Sequence, residues 1–281
     1  SAASDVYKRQ AIGMEAAGEI VEIGETVSTA TSFKIGDRVM ARCGGAFAEY
    51  ALMDILEMMP IPAALSWEEA SCIPLTFLVT YDLLVQQGKL KAKDWLLVNG
   101  ISSGVGVASL QMAKVLGAKV IGTSGSQDKL NKLMPLGLDV GICTRSADFH
   151  AQVMTLTEGK GVQLVVNTVG GSVFAESMRC LCFQGRLGTV GYVDGVLQAP
   201  LDIEALHAKR LTLFGVSNKL RSPTQRAEPV PGFVKDILPA FADGRIKSCI
   251  DTIFEFSDMS AAKALMESNA HVGKIVMKVT S

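Results

Sequence analysis

The stretch Trp95-Leu-Leu-Val-Asn-Gly-Ile-Ser-Ser-Gly-Val-Gly106, continuing through Val107–Leu116, decides how this chain is read. An apolar run able to be buried as a strand meets a glycine-rich turn, and the turn opens directly into a helix. Gly104 and Gly106 have no Cβ, so a diphosphate can approach the backbone closely, and the first N–H groups of the helix point at it. The helix macrodipole adds roughly half a positive charge at the same spot. The spacing Gly100, Gly104, Gly106 is not the common G-x-G-x-x-G. The flanking strand and helix, more than the glycines, favour dinucleotide binding over an ordinary strand-to-helix turn.

From Trp95 onward the same unit repeats. Strands are expected near 95–99, 119–123, 139–142, 163–167, 186–190 and 211–215, with helical segments at 105–116, 127–136, 147–157 and 172–181 between them. Such alternation predicts an α/β fold, a parallel sheet covered by helices on both faces, and six strands complete a doubly wound Rossmann domain. Upstream, residues 13–60 read as short strands with tight turns: 19–24 alternates around Ile20 and Ile23, Gly36-Asp37 is a turn, and 38–41 and 46–52 are further strand candidates. Ser66-Trp-Glu-Glu69 has the capping-box pattern, so a helix starts at Ser66 and continues, with a break near Pro74, to Gln87. After Asn218 come a polar loop with prolines (221–231), a helix through Ala242 and a last strand at 274–279, a tail expected to return to the first β-rich segment.

Bulk properties narrow the class. With 281 residues the chain can bury a full-sized core, in one large domain or two moderate ones. Its 27 Lys and Arg nearly balance 28 Asp and Glu, which argues against a nucleic-acid surface or an anionic membrane as partner. The longest apolar window, 73–85, is interrupted by Thr76, Thr80 and Asp82 and is too short to span a bilayer. Six cysteines give no disulfide framework and read as buried reduced thiols of a cytoplasmic protein. Ser1–Gln10 is polar, lacks a helix or strand period, and reads as a non-native leader, with the natural chain starting further upstream.

The strand ending at Thr123 bears on which nicotinamide cofactor is used. An NAD site carries an acidic side chain about twenty residues past the glycine turn, on the ribose 2′-hydroxyl. Here that place is Ser124, followed by Gly125-Ser126-Gln127-Asp128-Lys129. Hydroxyls at Thr123, Ser124 and Ser126 can donate to a phosphate, and Lys129 offers charge worth ~1 to ~4 kcal/mol at about 4 Å, depending on the local dielectric. The missing acid and the added base agree on NADPH. The plainer alternative makes Ser126 a helix N-cap and Lys129 a solvated helix residue.

Gly13-Met-Glu-Ala-Ala-Gly18-Glu-Ile-Val-Glu-Ile-Gly24, Lys34-Ile-Gly-Asp-Arg-Val39 and Ala46-Phe-Ala-Glu-Tyr50 resemble the medium-chain dehydrogenase/reductase superfamily. Within it the chain is similar to the zinc-independent NADPH:quinone oxidoreductases. Gly122–Leu130, Val169-Gly-Gly171 and His271-Val-Gly-Lys-Ile-Val276 look closest to the tumour-suppressor-inducible type. The resemblance implies a GroES-like substrate domain at 11–77 and 219–281, lacking its N-terminal part, and a Rossmann NADPH-binding domain at 78–218. It also implies cofactor contacts at Ser103, Gly104 and Val105 around the diphosphate and at Ser124, Gly125, Ser126 and Lys129 around the adenosine phosphate. Val169, Gly170, Gly191, Tyr192 and Val193 would lie at later strand ends, and Gly273 and Lys274 in a closing segment near the nicotinamide. For Lys274 a solvated strand-edge charge is the competing reading.

Several positions depart from the superfamily's pattern. Met14 stands where its alcohol dehydrogenases carry a zinc-ligating histidine, and only Cys43 lies where they have a four-cysteine lobe, so no metal is expected. Thr144 replaces a tyrosine set against the adenine phosphate; Arg145 beside it either takes over that contact or is a surface arginine, the latter favoured. Val79 replaces a threonine that touches the nicotinamide, with Thr76 one turn back able to reach the same face. His150, His207 and His271 read as solvated, and no catalytic residue is assigned.

Metal-free reduction needs a hydride donor, an oriented acceptor and a proton source, and a quinone suits it because its two carbonyls delocalise the incoming charge. The first expectation is therefore an NADPH:quinone oxidoreductase. The alternatives are an NADPH-dependent reductase of activated C=C bonds (enone or enoyl thioester) and a non-catalytic NADPH-binding protein. The resemblance further implies a homodimer joined through sheet edges, with the strand near 211–215 as the candidate edge.

Overall fold

The computed structural model describes residues 12–25, 27, 31–268 and 270–279, so the proposed leader Ser1–Gln10 lies outside the described residues. The chain divides into two compact units, residues 1–78 with 221–281, and residues 79–220.

The first unit opens with an antiparallel sheet in which β1 (Glu15–Glu19) pairs with β2 (Arg38–Arg42), and β2 with β3 (Met59–Pro60). The strand expected at 19–24 therefore sits earlier. Past Glu19 the chain leaves the sheet, and Ile20 is held instead by the turn at Gly36-Asp37, through Ile20 N–H to Asp37 O (3.0 Å) and Gly36 N–H to Ile20 O (2.8 Å). Residues 46–52 form no strand either; Tyr50 and Leu52 project into solvent and no neighbouring strand among the described residues offers them a ladder. Helix α1 (Trp67–Ser71) starts at the predicted capping box, where Ser66 Oγ accepts from Glu69 N–H (3.1 Å) and Glu69 Oε2 from Ser66 N–H (2.9 Å). Helix α2 (Pro74–Tyr81) follows and runs into a π-helical turn at Asp82–Gln87.

The second unit is built on one six-stranded parallel sheet. Its elements are β4 (Trp95–Asn99), α3 (Gly104–Val115), β5 (Lys119–Ser124), α4 (Gln127–Leu133), β6 (Val140–Cys143), α5 (His150–Leu156), β7 (Val162–Asn167), α6 (Phe174–Arg179), β8 (Leu181–Thr189), α7 (Ile203–Ala208) and β9 (Thr212–Gly215). The spatial order β6-β5-β4-β7-β8-β9, with every pairing parallel, is that of the doubly wound dinucleotide fold. Leu96, Leu97 and Val98 are fully buried because both sheet faces are covered, and Leu97, Ile121, Val165 and Leu187 share one core cluster with Phe149, Val153 and Met178 from the helices and their caps.

After Leu220 the chain rejoins the first unit as α8 (Pro223–Ala227), α9 (Val230–Asp236), α10 (Leu238–Ala242), β10 (Ile250–Glu255), α11 (Met259–Ser268) and β11 (Lys274–Lys278). Residues 221–231 are thus largely helical and not a loop. Ser222-Pro-Thr-Gln225 is itself a capping box with proline at the first helical position, where its missing N–H costs nothing. Strand β10, which pairs parallel with β11, was not expected either, although Ile250, Thr252 and Phe254 alternate with more exposed neighbours. The tail does return to the first β-rich segment: Ser248 Oγ donates to Glu69 O (2.7 Å), and Lys274 Nζ pairs with Glu15. The six cysteines are free, but only Cys43, Cys72 and Cys180 are buried; desolvation pushes the last two thiols up to about 12.

Glu57 is nearly inaccessible between Arg42 Nε (3.3 Å) and Arg226 Nε (3.1 Å), tying the β2–β3 connection to α8 within the first unit. Removing the carboxylate leaves a mostly buried guanidinium unpaired. Glu57→Ala is expected to lower stability by about 2–3 kcal/mol, read as a shifted urea midpoint with unchanged slope.

Candidate functional site

The carboxyl ends of β4, β5, β7 and β8 gather the features of the second unit that can receive a ligand. Between β4 and α3 the chain turns at Gly100, whose φ of +74° favours glycine and whose absent Cβ leaves room for Thr168 Oγ1, which would overlap that atom. Ser103 is the N-cap of α3, its hydroxyl accepting from Gly106 N–H (3.1 Å), and Val107 N–H bonds to Ser103 O (2.9 Å). The N–H groups of Gly104 and Val105 find no acceptor among the described residues. Two unsatisfied donors at the positive end of a twelve-residue helix can receive an oxyanion such as a diphosphate oxygen.

Ser124, Gly125, Ser126 and Lys129 come together at the end of β5. Ser124 Oγ accepts from Ser126 N–H (3.3 Å), and Ser126 is the N-cap of α4, accepting from Lys129 N–H (3.4 Å). The plainer reading of Ser126 as a cap is thus correct, though a capping hydroxyl still has its own proton to donate. Arg145 lies across Gly125: a Cβ there would meet its Cγ at 2.8 Å, Nε at 3.1 Å and Cζ at 3.2 Å. It is exposed, as expected of a surface arginine, yet its guanidinium is brought from the β6–α5 connection onto this turn. Thr144 Oγ1 is committed to Asp148 (2.7 Å) and to Ser146.

Val169 and Gly170 meet the segment after β8 at Asp194, a residue not among the expected site residues, and Gly191 approaches Thr168, whose carbonyl oxygen a Cβ would meet at 2.9 Å. Asp194 accepts from Ser172 N–H (2.9 Å), from Ser172 Oγ and from Val196 N–H (2.9 Å), while its own N–H reaches Val169 O (3.0 Å). Gly170, at φ +131°, is required because a Cβ would overlap Asp194 Oδ1. From the strand end below, Asn167 Oδ1 accepts from Val169 N–H and Gly170 N–H, both at 3.0 Å, and Asn167 Nδ2 donates to Gly170 O (2.9 Å). Tyr192 and Val193 stand largely in solvent.

Gly273 and Lys274 belong to the first unit. Lys274 is no free strand-edge charge: Nζ pairs with Glu15 and donates to Thr76 Oγ1 (3.3 Å), and Glu15 Oε2 caps α2 by accepting from Leu75 N–H (2.7 Å). Met14 is exposed, and among the described residues no group of three or more His, Cys, Asp or Glu could hold a metal ion. The donors among the described residues do not make up the ligand set of a catalytic zinc.

Two family signatures match: the alcohol dehydrogenase GroES-like domain over residues 4–63 and the zinc-binding dehydrogenase over residues 104–228. The chain belongs to the medium-chain dehydrogenase/reductase family of NAD(P)-dependent oxidoreductases. Among curated relatives it is 31% identical over 270 residues to a component of the phenolphthiocerol/phthiocerol polyketide synthase of Mycobacterium tuberculosis, a match covering 95% of this chain and 12% of that one. The chain spans about a tenth of the length of such relatives. Solved structures similar to it include a mycobacterial protein complexed with NADPH (28% identity, 98% of this chain and 86% of that one, TM-score 0.86). A mycobacterial quinone oxidoreductase (27%, 95% and 82%, TM-score 0.84) and the CurK enoyl reductase (25%, 96% and 79%, TM-score 0.79) are also similar.

Asp194 loses solvent around its charge, which raises its pKa, but the hydrogen bonds from Ser172 and Val196 outweigh this and hold it below the ordinary carboxylate range. A lowered folded pKa means that the clamp is complete above the ordinary carboxylate value and is lost as pH falls through the lowered one. Amide exchange at Ser172 and Val196, corrected for intrinsic rates, should therefore lose protection only in that acid window; Asp194→Ala should remove protection at these amides at neutral pH.

Proposed function

We propose that this chain binds NADPH across the strand ends of its second unit and passes a hydride, without a metal, to a quinone. The observation that carries the cofactor reading is Arg145 lying across Gly125 between Ser124 and Ser126, with Lys129 in the first turn of the helix that Ser126 caps and no carboxylate on the strand end where an NAD site needs one. The orphan N–H groups of Gly104 and Val105 would take the diphosphate, and the clamped segments 169–171 and 191–194 would flank the nicotinamide end. When bound, the dihydronicotinamide supplies the hydride. The protein's part is to hold the cofactor, orient the acceptor and let charge develop on oxygens that water can protonate.

The quinone acceptor is supported by the similarity to a mycobacterial quinone oxidoreductase. A second reading, reduction of an enoyl thioester, is favoured by the polyketide synthase relatives and by the CurK enoyl reductase. Stopped-flow oxidation of NADPH with a panel of quinones, enones and enoyl thioesters separates the two. Turnover confined to C=C acceptors refutes the quinone assignment, and binding without turnover of any acceptor marks a non-catalytic NADPH-binding protein. We also propose a homodimer joined through β9, whose outer edge carries no strand partner among the described residues; light scattering tests it.

Charge-assisted hydrogen bonds to a phosphate contribute about 1.5–3 kcal/mol. Arg145→Ala and Lys129→Ala are each expected to raise the KM for NADPH by about tenfold or more while leaving the KM for NADH within about twofold, so that the two cofactors converge. Equal effects on both cofactors would refute the assignment to the 2′-phosphate.

A further inference from the structure

At the last rung of the parallel sheet, Thr123, Asn99, Asn167 and Thr189 stand side by side on β5, β4, β7 and β8. Asn99, like Asn167, is fully buried, and it ends the strand Trp95-Leu-Leu-Val with an amide where a fifth apolar residue would need no partners. A buried amide costs free energy unless its atoms are bonded, and these are. Asn99 Oδ1 accepts from Thr123 Oγ1 (3.1 Å), and Asn99 Nδ2 donates to Ser177 Oγ (2.7 Å), which in turn donates to Val173 O (2.6 Å). Its backbone carbonyl accepts from Thr168 Oγ1 (2.8 Å).

Three of these bonded positions each adjoin a different part of the proposed site. Gly100 and the diphosphate turn follow Asn99 itself; Ser124 and the phosphate turn follow Thr123; Val169 and Gly170 follow Thr168. We propose that Asn99 is a positioning residue, which touches no ligand and whose side chain sets the spacing between the diphosphate turn and the phosphate turn, while its backbone carbonyl ties in the third segment at Thr168. The proposal rests on the NADPH reading above. A restraint of this kind acts through linkage: each half of the cofactor binds its own segment, and the gain from joining the halves depends on the segments being held at the right separation. Asn99 should therefore matter for the whole cofactor and little for either half alone.

The test uses titration calorimetry on the full chain, well below its melting temperature, with NADPH, 2′-phospho-AMP and reduced nicotinamide mononucleotide as separate ligands. In Asn99→Ala the Kd for NADPH is expected to rise about tenfold, the effect of losing one to two buried hydrogen bonds, while the half-ligands change by less than about twofold. Thr123→Val keeps the side-chain shape and removes one of the bonds, so it should give a smaller shift in the same pattern. The double variant should be no worse than Asn99→Ala, and if Asn99→Ala does not fold, Thr123→Val carries the test. A lowered melting temperature with unchanged NADPH affinity would make Asn99 purely structural and overturn the proposal. Half-ligands weakened in step with NADPH would overturn it too, because the damage would then be local to each segment. If the unsubstituted chain does not bind NADPH, the cofactor reading falls and this inference falls with it; normal binding alongside unaffected variants sinks this inference alone.

Discussion

The close approach of Thr168 to Gly100 is the constraint on which the rest of the second unit's site depends. The Thr168 hydroxyl fills the space a Cβ would occupy on Gly100 and bonds to the carbonyl of the preceding residue, Asn99. A side chain at position 100 would have to displace Thr168 and adopt a left-handed backbone as well. With glycine there the chain leaves β4, reverses and enters α3 with Ser103 already in place as its cap. The direction of α3, and with it the two unsatisfied N–H groups at its start, follows from that one turn. Substitution at Gly100 would therefore re-aim the helix terminus as well as displace Thr168.

Charge at the neighbouring turn comes from a connection that is distant in sequence. Lys129 is local, carried on α4 a few residues past Ser124. Arg145 arrives from the β6–α5 connection, because β6 pairs beside β5 and ends level with it, Ser124 opposite Cys143. Sheet order thus brings the Arg145 side chain onto a turn that is distant in sequence, and the absent Cβ of Gly125 leaves room for it there. An arginine fork presents donors in a plane suited to a phosphate, where a lysine supplies a point charge, so the two are not redundant.

Much of this was legible in the sequence. Buried parallel strands are continuous apolar runs, and one helix between them has its start marked by Ser126, so the six strands could be read mainly from periodicity. The short strands of the first unit were harder. Segments 46–52 and 19–24 have strand-like composition, but pairing is decided by a neighbour far away in the chain, and neither finds one. Residues 221–231 misled through their prolines, which sit at helix starts where they are harmless. Asp194 and Asn99 escaped notice because their importance lies in what they bond to, and the single signal available was a polar residue ending an apolar strand. Arg145 was noticed, but the strand beside it in the sheet, which decides its role, becomes visible only in three dimensions.

The first unit explains why so much falls to positioning. At the place where a related dehydrogenase would set a zinc ligand the chain has Met14, and the adjacent Glu15 is engaged in capping α2 and pairing Lys274. On the proposed metal-free reading, stabilisation of developing charge on an acceptor oxygen would come from water and fixed dipoles, with geometry as the protein's lever on rate. Orientation can contribute up to about 7–11 kcal/mol to a barrier when reacting atoms are held at contact distance. On the proposed reading, that places the burden on the hydrogen-bonded floor of Asn99, Thr123, Asn167 and Thr168 and on the Asp194 clamp above it. On that reading these groups touch no reacting atom and act by fixing where the reacting atoms can be.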